Sequence, residues 1–167
     1  TRDAIAVDWT HKGRAIRLVD TAGLRRRAKV EGKLERLSTS DTLRTIRFAE
    51  VVVLVIDAEQ MLEKQDLAIA RLVIEEGRAL VLAVNKWDLV TEPAAALKSL
   101  HRRIEVSLPQ VRGVKVVTLS ALTRQRVHAL IDAVVQAHKV WNRRVATPVL
   151  NRWLQHMVNA HAPPLVG

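Results

Sequence analysis

The chain has 167 residues, of which 49% are hydrophobic and 26% charged, a composition that excludes a disordered or low-complexity chain. It contains no cysteine, which excludes disulfide bonds, thiolate metal sites and cysteine nucleophiles. The longest apolar runs, residues 51–56 and 79–84, are six residues each and far short of the ~20 that cross a bilayer. We therefore expect no membrane contact and a cytoplasmic location.

The net charge of +10 is distributed unevenly along the chain. Residues 1–47 carry a net charge of +6, residues 48–100 carry −4 and residues 101–167 carry +8. Two basic flanks around an acidic middle are typical of a surface that faces a polyanion, because arginine pairs bidentately with phosphate. A solvated surface on an arginine-rich chain would have the same pattern, so charge alone leaves both interpretations open.

Strand-like and helix-like segments alternate along the chain. Short runs at residues 5–9 and 15–19 predict an antiparallel hairpin. Continuous apolar runs predict the later strands, of which the first, rich in valine, has the pattern of a strand buried on both faces. These later strands are predicted at residues 51–56, 79–84 and 115–119. Helices are predicted at residues 38–48, 65–76, 92–108 and 125–141. Strands and helices in this order predict an α/β fold, a mostly parallel sheet with helices on both faces.

A composition break at residues 146–148 precedes one further predicted helix, residues 149–161. Apolar residues fall on one face of that helix, which are Leu150, Trp153, Leu154, Met157 and Val158. We expect residues 1–145 to form a partial domain and residues 146–167 to begin a second one.

The most informative motif, Asn85-Lys86-Trp87-Asp88, directly follows the second buried strand. Parallel sheets bind ligands beyond the carboxyl ends of their strands. The Asp88 carboxylate could accept from both the ring N–H and the exocyclic amine of guanine, a pair of donors that adenine lacks. The stem of Lys86 would lie over the base, and Asn85 would tie the loop to backbone or base. The alternative is a strand-end Asn followed by a helix-start Asp.

Ser120 and Ala121 follow the third of these strands. The backbone N–H of Ala121 could donate to guanine O6, a position at which adenine carries an amine. The alternative interpretation makes Ser120 an ordinary helix N-cap.

Asp20-Thr21-Ala22-Gly23 follows the hairpin and suits a phosphate and metal role. Asp20 could hold Mg²⁺ through water, and Gly23 would let a backbone N–H approach a terminal phosphate. An ordinary turn that starts with Asp is the alternative. Asp57, at the end of the first apolar strand, could be an ATPase metal ligand; next to a guanine-type loop it is interpreted as a structural strand-end carboxylate.

Taken in chain order, the motifs Asp20-Thr21-Ala22-Gly23, Asn85-Lys86-Trp87-Asp88 and Ser120-Ala121-Leu122 resemble those of the translation-factor-related GTPases. With Thr1-Arg2-Asp3-Ala4-Ile5 and Leu24-Arg25-Arg26, they are similar to the second GTPase domain of the EngA (Der) family of tandem-domain bacterial ribosome-assembly GTPases. Residues 148–166 resemble the start of that family's C-terminal KH-like domain. The resemblance implies a GTP hydrolase that uses GTP or GDP with Mg²⁺ and contacts ribosomal RNA and the large ribosomal subunit.

The resemblance also implies roles for individual residues. Thr1 and Asp20 would be metal ligands, and the guanine nucleotide would be bound by Asp20, Thr21, Ala22, Gly23, Asn85, Lys86, Asp88, Ser120 and Ala121. Gly23 and Leu24 fall at the catalytic positions, where many relatives have a water-orienting Gln in place of Leu24. Leu24 cannot hydrogen-bond a water, so hydrolysis would depend on another group or on a partner.

No G-x-x-x-x-G-K-[ST] sequence, the motif that cradles nucleotide phosphates, occurs in the chain. We therefore expect a P-loop-GTPase-type fold that lacks its first strand and phosphate loop and carries an extra C-terminal helix. The chain would begin inside switch one, end inside the next domain and be inactive by itself. A non-catalytic basic module for RNA binding or assembly is the alternative function.

Overall fold

The computed structural model of the protein describes residues 5–20 and 40–160. Two strands come first, β1 (Ile5–His11) and β2 (Arg14–Asp20). The elements that follow are α1 (Ser40–Phe48), β3 (Val51–Asp57), α2 (Lys64–Glu75), β4 (Ala79–Asn85), α3 (Pro93–Ser107), β5 (Lys115–Thr118), α4 (Val127–Trp141) and α5 (Thr147–Ala160). Each predicted strand and helix is present within a few residues of its predicted bounds, and the predicted α/β class is confirmed. The predicted loop at residues 25–33 lies outside the described residues.

The strands form two sheets within the described ranges. β1 and β2 pair antiparallel, with Ile5 opposite Asp20 and His11 opposite Arg14. β3, β4 and β5 form a parallel sheet in that order. In its register Asp57 lies beside Asn85. The carboxyl ends of β3 and β4 are therefore level, which brings the loops that follow them together at one edge of the sheet.

Helices cover both faces of the parallel sheet, because alternate side chains of each strand point in opposite directions. On one face, α1, α2 and α3 pack on a large core that includes Ile56, Leu82 and Leu100, each exposed by no more than 2%. On the other face, α4 packs through Ala133 and Ala137 on Val81 and Val117. β4 is the central strand and its residues 80–84 are all buried.

β3 is less buried than its sequence predicted: one face is in the large core, and the other is covered only in part. Its core-side residues Leu54 and Ile56 are buried, whereas Val55 is 50% exposed. Val55 shares the α4 side with Val51 and Val53, which pack against the smaller core. Within the described residues, β3 pairs with β4 alone, so the carboxyl half of its α4 side has little to pack against.

The turn of the β1–β2 hairpin contacts α4 through a small charged cluster. Lys12 Nζ lies 2.8 Å from Asp132 Oδ1, and His11 Nε2 lies 3.6 Å from the same oxygen. The hydrogen bond from Lys12, followed by its charge, lowers the pKa of Asp132 below its ordinary value of 3.8. Because the folded pKa is the lower one, this contact stabilises the fold above pH 3.8 and is lost as the pH falls below it.

We expect Asp132→Asn to loosen the hairpin turn without unfolding the domain, since exposed ion pairs contribute little to global stability. The backbone amides of residues 10–15 should exchange hydrogen faster, with little change in Tm. Asp8→Asn is the matched control, because Asp8 is exposed on the same hairpin and approaches Arg17 only to 4.0 Å. Equal exchange rates in the wild type and Asp132→Asn would show that the turn is held by other contacts.

The C-terminal helix α5 has no buried residue. Its predicted apolar face is present but open, with Trp153 58% and Leu154 53% exposed. The division of the chain at residues 145 and 146 stays a prediction. No helix within the described part of the chain combines the length and the hydropathy that a membrane span needs.

Candidate functional site

The loops that follow β4 and β5 are joined by backbone hydrogen bonds at the carboxyl edge of the sheet. Leu119 N donates to Val84 O (2.9 Å), and Trp87 N donates to Leu119 O (3.1 Å). These bonds continue the β4–β5 ladder beyond the last paired residues of the strands. The two loops that were predicted from the sequence to contact guanine are therefore joined to each other.

The side chain of Asn85 adds a further bond between the loops. Its Oδ1 accepts a hydrogen bond of 2.9 Å from Ala121 N. Of the two roles predicted for Asn85, this geometry is the tie to neighbouring backbone. The N–H that the sequence assigned to guanine O6 is donated to Asn85 in this structure, so a base would have to share or displace that bond.

Ser120 shapes the second loop from inside. It is fully buried, and its Oγ accepts a hydrogen bond from Thr123 N (3.1 Å). Its backbone N–H donates to Gln125 O (3.1 Å), which closes the loop ahead of α4. The Ser120 side chain thus caps a turn within its own loop. It is not the helix N-cap of the alternative interpretation, because the N-cap of α4 is Arg126.

Lys86 lies at the turn between β4 and the short 3₁₀ segment Trp87–Leu89, in the left-handed region with φ 62° and ψ 32°. Its Nζ is 2.6 Å from Asp57 Oδ2, at the end of the neighbouring strand. This hydrogen bond and the carboxylate charge raise the pKa of Lys86 above its ordinary 10.5, so the ammonium is charged throughout the neutral range. The other oxygen of Asp57 accepts from Glu59 N at 3.0 Å.

Asp88 differs from its neighbours in having no partner among residues 5–20 and 40–160. Its carboxylate is exposed. The segment that carries it is anchored by Trp87 and Val90, which pack against the large core. The arrangement presents a carboxylate at the surface on a loop whose position is fixed on both sides, which suits it to accept hydrogen bonds from a ligand.

The structure brings together five of the predicted nucleotide residues, namely Asn85, Lys86, Asp88, Ser120 and Ala121. Asp20 ends β2 in the hairpin sheet, and its side chain is not among those described. The other predicted residues, Thr1, Thr21, Ala22, Gly23 and Leu24, lie outside the described residues. Within the described part, no three His, Asp or Glu side chains are grouped to hold a metal ion.

Sequence reasoning missed the contact of Asp57 with the candidate base loop. It interpreted this residue as a structural carboxylate, but the structure pairs it with Lys86. The signal was present in the register: parallel strands of equal length place the Asp that ends β3 beside Asn85, one residue from Lys86.

The sequence matches the family profile of the elongation factor Tu GTP binding domain over residues 35–139. This match covers more than half of the chain, so the chain belongs to that family of GTP-binding domains. Its relatives include GTPase Der of Parvibaculum lavamentivorans, 54% identical over 98% of this chain and 35% of the relative, and GTPase Der of Bartonella henselae, 55% identical over 99% and 35%. The resemblance to the Der (EngA) family is thereby confirmed. The chain spans about a third of the length of these relatives.

Solved structures agree on the fold. The translation elongation factor SelB of Methanococcus maripaludis, in complex with a GTP analogue, superposes with a TM-score of 0.61 at 15% identity, covering 87% of this chain and 30% of SelB. The described sheet and helices therefore have the arrangement of a GTP-binding domain.

Proposed function

We propose that this chain supplies the guanine-recognition part of a GTP hydrolase of the Der type. One observation carries the proposal: the exposed Asp88 carboxylate has no partner within the described part of the chain, and it stands on a loop held by four contacts. Those contacts are Leu119 N to Val84 O, Trp87 N to Leu119 O, Ala121 N to Asn85 Oδ1 and Lys86 Nζ to Asp57 Oδ2.

The chemistry of the base explains why a fixed carboxylate would select guanine. Guanine presents two adjacent donors, the ring N–H and the exocyclic amine, and a carboxylate offers two acceptors at matching separation. Adenine presents a ring nitrogen acceptor on the same edge, so its lone pair would face the Asp88 charge. A site built for a donor pair rejects an analogue that lacks the pair, because its own polar group is then left unsatisfied.

The phosphate side of the proposed site rests on residues outside the described ranges and on Asp20. We propose Thr1 and Asp20 as the residues that hold Mg²⁺, and Thr21, Ala22 and Gly23 as those that approach the terminal phosphates. Leu24 would lie where water is positioned, so another group or a partner would have to orient that water. Bound GTP and Mg²⁺ would supply the phosphoryl group and its charge neutralisation.

The base preference of the full-length gene product tests this proposal. We expect it to hydrolyse GTP and to bind GDP at least a hundredfold more tightly than ADP, as roughly expected when a paired hydrogen-bond contact is lost. The isolated 167 residues should bind GDP with Mg²⁺ weakly or not at all in calorimetry, because they contain no phosphate-loop motif. Equal affinity for ADP and GDP would contradict the assignment, and micromolar binding by the isolated chain would contradict the account of the phosphate loop.

We further propose that the full-length protein works in the cytoplasm on ribosomal RNA during large-subunit assembly. The family resemblance supports this role, and so does one feature of the surface. All ten Lys and Arg side chains of residues 101–160 are exposed. None of them forms an ion pair within the described residues. The same segment contains only two acidic residues, Glu105 and Asp132. Era, a structural neighbour with a TM-score of 0.61 at 16% identity, covering 82% of this chain and 45% of Era, was solved with a segment of 16S ribosomal RNA. That RNA belongs to the small subunit, so the choice of the large subunit rests on the family resemblance alone.

An RNA surface predicts a steep dependence of binding on salt, since each phosphate contact releases counterions. Arg102→Gln with Arg103→Gln, an exposed pair on α3, should make the negative slope of log K against log salt shallower by about one to two. Glu105→Gln on the same helix is the control and should leave the slope unchanged or make it steeper. Binding that does not respond to salt would mean that these arginines are solvated and not in contact with RNA.

A further inference from the structure

We infer that Asp57 is a positioning residue for the guanine site, acting through Lys86; this inference rests on the proposed function. Asp57 ends β3 and is not part of the motif that carries the base contacts. Its two oxygens have different partners: Oδ1 accepts from Glu59 N at 3.0 Å, and Oδ2 accepts from Lys86 Nζ at 2.6 Å.

The first of these bonds fixes the carboxylate itself. Asp57 is the N-cap of the short 3₁₀ segment Ala58–Gln60, and its side chain is only 19% exposed. A capping bond and a buried neighbour, Ala58, limit the rotamers that this side chain can adopt. The carboxylate is therefore a fixed acceptor at the end of the strand.

The second bond restricts the rotamers of Lys86. A lysine side chain is long and flexible, and its side chain here is 51% exposed, so without a partner it would sample many rotamers. Binding its ammonium to Asp57 directs the aliphatic stem across the ends of β3 and β4. This is the surface beside Asp88 over which a purine held by that carboxylate would lie.

A base that stacks on an ordered stem does not bear the entropy cost of ordering it. The pair would thus strengthen binding of the base without contacting it. Glu59, which adds to the charge around Lys86, is exposed and does not bond to the ammonium, so Asp57 is the residue that sets its direction.

Asp57→Asn tests the inference without removing the cap. The amide oxygen can still accept from Glu59 N, while the amide NH₂ replaces the acceptor and repels the ammonium of Lys86. Because the resemblance implies a second nucleotide site in the full-length gene product, affinity is read with xanthosine diphosphate in an Asp88→Asn background. Xanthine carries a carbonyl oxygen where guanine has its amine, so only the site with the asparagine should bind it.

We expect Asp57→Asn to weaken xanthosine diphosphate binding by about threefold to fivefold, the range of a lost ordering contact. Lys86→Met, which keeps a stem but no ammonium, should weaken binding similarly, and adding Asp57→Asn to it should have little further effect. Glu76→Gln is the matched control. It removes the charge of Glu76 from its pair with Arg47, in which Nε and Oε2 are 2.9 Å apart. The exposures of these two side chains, 60% and 21%, are close to those of Lys86 and Asp57, 51% and 19%, and the pair lies far from the loop.

Three outcomes would overturn the inference. They are an unchanged affinity in Asp57→Asn, an equal loss in Glu76→Gln, and an undiminished effect of Asp57→Asn when Lys86 is already Met. Failure of the Asp88→Asn protein to bind xanthosine diphosphate at all would instead refute the proposed function, and this inference with it. The two failures are therefore distinguishable.

Discussion

Asp88→Asn in the full-length gene product is expected to abolish high-affinity GDP binding at one site and to create binding of xanthosine diphosphate there. The carboxylate of Asp88 would accept two hydrogen bonds from guanine, whereas an asparagine offers one acceptor and one donor. Its NH₂ would then face the amine of guanine, and affinity should fall by about a hundredfold or more. Xanthine has a carbonyl oxygen at that position and would accept from the new NH₂.

The exchange of base preference separates this expectation from simple damage to the fold. A destabilised loop would lose both nucleotides, while an exchanged hydrogen-bond pattern loses one and gains the other. Calorimetry with each diphosphate gives both affinities and the number of sites. Asp66→Asn would be a poor control because Asp66 is fully buried; the exposed Asp8→Asn is preferable. Unchanged GDP affinity at every site in Asp88→Asn would remove Asp88 from the base site.

Asn85→Ala is expected to weaken nucleotide binding by about tenfold to thirtyfold, through lost order in the loops more than through lost contact with the base. It removes the acceptor of the 2.9 Å bond from Ala121 N, the one side-chain tie described between the two loops. The order of magnitude is that of one hydrogen bond together with the cost of ordering the loop on binding.

The affinity of the Asn85→Ala variant is measured with xanthosine diphosphate in the Asp88→Asn background, as for Asp57→Asn. Asn151→Ala, an exposed asparagine on α5, is the control and should change nothing. Hydrogen exchange of the amide of Ala121 provides a second measurement and should become faster in Asn85→Ala. If affinity and exchange both stay at their wild-type values, the hydrogen bond between the loops has no part in binding.

The order of strands and helices was predictable from the sequence because the apolar runs are long and well separated. β4, at the centre of the sheet, is as buried as its sequence indicates. β3 is less buried than its sequence indicates. An apolar run such as Val51–Ile56 shows that a strand can be buried, but it does not show which neighbours cover the strand. Val55 is half exposed where β3, within the described residues, pairs with β4 alone, and this arrangement is a property of the packed structure.

The five site residues from β4 and β5 were predictable in position because each follows an apolar run. Their hydrogen bonds were not. Sequence spacing cannot show that the N–H of Ala121 is donated to Asn85, or that Ser120 closes its own turn. The pairing of Lys86 with Asp57 depends on register between two strands that are 28 residues apart in sequence. It could have been inferred only after the strands were aligned.

The backbone bonds between the loops after β4 and β5 have a consequence for how the two ends of a bound nucleotide would be recognised. They join Val84, Trp87 and Leu119 at one edge of the sheet, the edge proposed to hold the base. A base pocket that is formed before the ligand binds should contribute equally to the affinity for the diphosphate and for the triphosphate. Any difference in affinity between the two forms must then come from contacts with the phosphates. Those contacts would also set the rate at which the protein passes from the triphosphate-bound to the diphosphate-bound state.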